Sequence, residues 1–72
     1  MKNNIGKYGN NTNEQDEQFL INNGWIKEGD FIFYKESSEW CIDITTSEIE
    51  FFSLNQSMYF DDWSECMYLI TV

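Results

Sequence analysis

A two-layer α+β domain is what this sequence predicts: a short N-terminal helix, a three- to four-stranded antiparallel β-meander, and a C-terminal helix packed on one face of the sheet. Three observations predict it. Apolar residues run at helical spacing only towards the two ends of the chain. Between those ends the period shortens to two, in segments separated by turn residues. No proline occurs anywhere in the 72 residues, so nothing bars the central segments from a sheet interior. Two helices on one face of such a sheet close a two-layer sandwich.

The chain begins with residues 1–12, rich in Asn and Gly, where only Ile5 and Tyr8 offer anything to pack. The expectation is a flexible arm ahead of a single domain over residues 13–72. A helix should start at Thr12 or Asn13. Thr12 and Gln15 fit a capping box, and Glu14, Asp16 and Glu17 suit the positive end of the helix dipole. Phe19, Leu20 and Ile21 supply its apolar side. Asn23-Gly24 should stop it, with Gly24 as the left-handed residue and Trp25 as the hydrophobic follower.

From Trp25 the period changes. Trp25-Ile26-Lys27 and Phe31-Ile32-Phe33-Tyr34 flank Glu28-Gly29-Asp30 and predict a tight hairpin. Glu36-Ser37-Ser38-Glu39 makes the next turn. Trp40-Cys41-Ile42-Asp43-Ile44-Thr45 alternates cleanly, placing Trp40, Ile42 and Ile44 on one face and Cys41, Asp43 and Thr45 on the other. After Thr46-Ser47, the segment Ile49-Glu50-Phe51-Phe52-Ser53-Leu54 predicts the last strand, and Asn55-Gln56-Ser57 a loop. Asp62 and Glu65 then open a final helix in capping-box fashion, with Tyr59 or Phe60 stapling its start. Trp63, Cys66, Met67 and Ile70 share one face of it.

A chain this short exposes a large fraction of its surface and buries only about 60% of what its unfolded form would show. Dense aromatic side chains compensate. Six Phe, four Tyr and three Trp supply large areas to bury, and set the chain apart from disordered sequences. Cys41 and Cys66 are far apart, form no C-x-x-C motif, and read as small buried hydrophobes. Met1-Lys2-Asn3-Asn4 opens no apolar signal segment and no run approaches a membrane span, so a cytoplasmic protein is expected. In that compartment the N-x-[ST] tripeptides at Asn10 and Asn55 are chance matches.

The charge balance and the missing residue types constrain function. Thirteen Asp and Glu face four lysines, for a net charge of −9, with no His. Direct nucleic-acid binding needs cations to neutralise phosphates, and an anionic membrane is repelled in the same way. Without His the commonest proton shuttle and metal ligand is missing. Neither cysteine has a histidine to activate it, zinc lacks ligands, and the glycines fit no phosphate-binding loop. No enzyme activity, no metal and no cofactor are expected. Asp61-Asp62 reads as a helix cap rather than a calcium loop.

What remains points to a basic protein surface as the partner. With Trp40, Ile42 and Ile44 turned towards the helices, Asp43 faces out, Glu48 and Glu50 sit beside it, and Glu36 and Glu39 lie at the rim. Asp61, Asp62 and Glu65 extend this acidic band, which Glu14, Asp16 and Glu17 flank. The plain alternative is that solvated strand faces and helix starts carry acids for solubility. The aromatic excess adds a second set of candidates, Phe31, Phe33, Tyr34 and Phe52, because Phe31 and Phe33 oppose Ile32 and Tyr34 and one face cannot hide them all. Exposed apolar patches mark interfaces.

In size and charge alone, without a shared residue motif or a claimed family, the chain resembles small acidic phage and mobile-element products. Some of these inhibit host nucleases, CRISPR effectors or other nucleic-acid enzymes by imitating DNA. That resemblance implies an anti-defence inhibitor or regulator acting in the host cytoplasm. The competing expectation is a structural module that dimerises through its exposed aromatic sheet face. A small-ligand or calcium-binding domain is the third.

Overall fold

Helix α1 (Asn13–Asn22) opens the part of the chain that the structure, a computed structural model, describes: residues 13–72. The arm and the Thr12 cap lie outside the described residues. The helix ends as its sequence requires. Gly24 has φ +93°, the Trp25 N–H donates to Leu20 O and the Gly24 N–H to Ile21 O, each at 3.0 Å. These two bonds form a Schellman motif, and its hydrophobic follower Trp25 joins Leu20 in the core.

Five strands follow: β1 (Ile26–Lys27), β2 (Ile32–Tyr34), β3 (Cys41–Asp43), β4 (Ile49–Phe52) and β5 (Ser57–Phe60). They form one antiparallel meander in sequential order. The register sets Phe33 opposite Ile42, Ile42 opposite Phe51 and Phe51 opposite Met58. That row faces the helical layer. β5 is one strand more than the sequence reading foresaw: the predicted loop begins the strand at Ser57, and the expected staple residues Tyr59 and Phe60 are strand residues. Met58 and Phe60 pack against the core, the Phe60 ring edge-on to Phe51 at 5.6 Å.

The C-terminal segment is also broken where one helix was expected. A 3-10 turn (Trp63–Glu65) leads into a single α-helical turn, α2 (Met67–Ile70), with Cys66 between them at φ −130° and ψ 20°. The predicted apolar face survives the break, since Trp63, Cys66 and Ile70 are all fully buried. Asp62 caps the turn, its carboxylate accepting from Ser64 N at 2.9 Å, and Glu65 reaches back to Asp61 N at 3.2 Å.

Both helical pieces lie on one face of the sheet. The core between the layers holds Leu20, Trp25, Phe33, Ile42, Ile44, Ile49, Phe51, Trp63, Cys66 and Ile70. Each buried Ile, Leu or Phe contributes about 1.5–3 kcal/mol relative to exposure. Two polar contacts tie α1 and its exit to the C-terminal helical segment. The Trp63 indole N–H donates to Asp16 Oδ1 at 3.0 Å, and that of Trp25 to Ile70 O at 3.0 Å. Asp16 is fully buried. It serves the core and is no part of a surface band, contrary to the sequence reading.

Candidate functional site

Strand alternation decides which side chains the helices leave uncovered. With Phe33, Ile42 and Phe51 turned inward, their neighbours in each strand turn outward. Two rows result. One runs Ile32, Asp43, Glu50, Tyr59 in paired register, and the other pairs Ile26 with Tyr34 and runs Cys41, Phe52, Ser57. Among the described residues no helix packs on this face. Ile26 is 47% exposed and Tyr59 57% exposed, while Ile32, Cys41, Asp43, Glu50 and Phe52 are half-buried by one another. The apolar row ends in a shallow hollow lined by Ile26, Lys27, Glu28, Tyr34 and Cys41.

Asp43 and Glu50 stand directly opposite each other, a like-charge pair that sheets ordinarily avoid. Local bonds hold both in place. Asp43 Oδ1 accepts from Thr45 N at 2.8 Å, and Glu50 Oε2 accepts from the Tyr59 hydroxyl at 3.2 Å. The Tyr59 phenol is raised above its usual value, first by that hydrogen bond, then by the charge of Glu50, with Glu48 adding to it. Negative potential therefore concentrates over β4 and β5.

The eight acidic positions read from the sequence divide into two groups. Asp43, Glu48, Glu50, Asp61, Asp62 and Glu65 share the half of the sheet that ends in the β3–β4 turn and the β5 exit. Glu36 and Glu39 lie beyond the other end, in the β2–β3 connection, and do not join them. Of the four aromatic candidates, Tyr34 and Phe52 belong to the open face. Phe33 is fully buried in the core, and Phe31 packs against that core from its edge. Both rings point towards the helices because inward and outward positions alternate, so Phe33 has nothing to offer a partner. Ile26, Cys41 and Tyr59 complete the face. Their strand period was the only signal for them, and in β5 the short run hid it.

The cations are segregated as well. Lys27 pairs with Glu17 of α1 at 3.4 Å. Lys35 donates to Asn23 O at 2.7 Å and Ile70 O at 3.2 Å, and lies 5.6 Å from the centre of the Trp25 ring. Both are thus engaged at the β1–β2 side, and no other cation lies among the described residues. Among the described residues no group of three or more acids and cysteines converges as metal ligands would, and none of their helices is long and apolar enough to cross a membrane. No family model matches the chain, and no curated protein or solved structure matches it.

Proposed function

We propose that this domain is a non-enzymatic protein-binding module whose open sheet face docks on a basic surface of its partner, as an inhibitor or regulator would. One observation carries the reading: Asp43 and Glu50 sit side by side on an uncovered face, directly beside the half-exposed apolar row of Tyr34, Cys41 and Phe52. Apolar anchors supply contact area, while the acids steer and select a cationic partner. A nucleic-acid-processing enzyme has such a cationic surface. The mixture of rings and carboxylates favours a protein groove rimmed by Lys and Arg over a pure imitation of the phosphate backbone. A second copy of the chain is the less favoured occupant, because it would bring another net charge of −9 against the same acids.

The test uses the immobilised domain and proteins preselected for retention on a polyanion. Native domain, Asp43→Asn/Glu50→Gln and Tyr34→Ser/Phe52→Ser are compared. A partner held by the native domain, released by salt and lost from both variants supports the reading. Equal retention by all three sinks it, as does concentration-dependent dimerisation of the native domain in sedimentation.

A further inference from the structure

The sheet has two edges, and they differ. β1 is two residues long, lies beside α1 and carries Lys27. β5 has four residues, and among the described residues nothing pairs with its outer side. The ladder tells which backbone groups that side presents. Ser53 N donates to Gln56 O at 2.9 Å, making these two a hydrogen-bonded pair. Antiparallel alternation then makes Phe51–Met58 and Ile49–Phe60 the next bonded pairs, and leaves Phe52–Ser57 and Glu50–Tyr59 unbonded. The N–H and C=O groups of Ser57 and Tyr59 therefore point outward. The next outward donor, Asp61 N, is occupied by Glu65 Oε1. Edges of this kind accept strands unless something blocks them, and here no proline, lysine or bulge does.

We infer that the outer edge of β5 takes an extended, basic segment of the partner as a sixth strand. The inference rests on the protein-binding reading above and specifies its mode. Charge selects the occupant. The strip beside the edge carries Glu48 and Glu50 on one side and Asp61, Asp62 and Glu65 at its end, and both described lysines lie at the opposite side of the sheet. A residue added opposite Tyr59 stands about 10 Å from Glu50, two strand spacings away, a gap that a Lys or Arg and a Glu span together. Backbone bonds to Ser57 and Tyr59 supply affinity, and alternate side chains above the open face supply specificity. The same acids oppose β5 of a second copy.

The probe is a (Lys-Thr)₅ decapeptide, compared with the same peptide N-methylated at alternate residues, which keeps the charge and removes the strand donors. Binding is followed by NMR and by amide exchange of the native domain. Slowed exchange at Ser57 and Tyr59, with about tenfold weaker binding of the methylated peptide, is the expected result. Ser57→Pro should abolish the difference between the peptides, since its N–H makes no bond inside the fold and proline is tolerated at such edge sites. Equal binding of both peptides, with shifts at Tyr34 and Phe52, overturns the edge mode and leaves the face reading standing. Failure of both peptides to bind overturns the edge inference, as does protection of β5 that appears with domain concentration alone.

Discussion

Lys35 links the end of α1 to the end of α2. Its ammonium donates to Asn23 O, just past the end of α1, and to Ile70 O at the end of α2, a carbonyl that the Trp25 indole also bonds, so one cation links two helix ends at their negative poles. Gly24 belongs to the same arrangement, because a Cβ there would come within 3.2 Å of Lys35 Cε. Lys35→Met keeps the stem over Trp25 and removes the donors. Hydrogen bonds from charged groups contribute about 1.5–3 kcal/mol, so the variant should lose about 2 kcal/mol in urea unfolding, with an unchanged denaturant slope. A loss below about 0.5 kcal/mol would show that water replaces the ammonium without cost. Cys66 gives the pH counterpart. Burial first, then the charges of Glu65 and Asp62, push its thiol from 9.0 up to about 12. Above pH 9 the unfolded chain releases this proton while the folded chain keeps it, so stability falls as pH rises from about 9 to 12. Cys66→Ala should flatten alkaline unfolding over that window. An identical alkaline slope in the variant would contradict the assignment.

At the scale of elements, the sequence was most legible where several local signals agreed. α1 carried an apolar run, an Asn-Gly stop and an aromatic follower, and the structure contains all three as a Schellman motif. The β3 segment showed strict alternation, and Asp43 landed on the open face as that alternation demands; β4 carries apolar side chains on both faces, and Glu50 pairs beside Asp43. β5 was missed because Ser57-Met58-Tyr59-Phe60 is short, follows Asn55-Gln56, and runs straight into two acidic positions, Asp61 and Asp62. Its strand character comes from pairing with β4, a non-local contact no window of sequence contains. The single C-terminal helix was an overextension for a related reason. Trp63, Cys66, Met67 and Ile70 do keep to one side, yet a face specifies burial and not continuous helical dihedrals, so the chain bends at Cys66. Asp16 and Phe33 were misplaced in opposite ways. An acid in a first helical turn normally faces water, and Asp16 is instead buried against the distant Trp63 indole, which donates to it. Phe33 was assigned to the right face, but that face proved to be the covered one.

At the scale of the whole molecule, the −9 charge acts on folding and on binding with opposite signs. Folding crowds Asp43, Glu48 and Glu50 onto one half of a small sheet, and this self-repulsion opposes the compact state. Salt at physiological concentration already screens beyond about 8 Å, so raising NaCl should stabilise the fold. The exposed ion pair Lys27–Glu17 weakens under the same treatment, but such pairs contribute about 0–1 kcal/mol and this one cannot reverse the trend. If screening relieves about 1 kcal/mol, the midpoint of thermal unfolding rises by about 4–8 °C for a domain of this size. Binding to a cationic partner loses its steering under the same conditions and weakens. A parallel pair of titrations, thermal midpoint and partner affinity against NaCl, should therefore give slopes of opposite sign. A falling thermal midpoint would mean that attractive contacts such as those of Lys35 outweigh the acidic repulsion. Salt-insensitive affinity would remove the acids from the interface and leave the apolar row of Tyr34, Cys41 and Phe52 to bind alone.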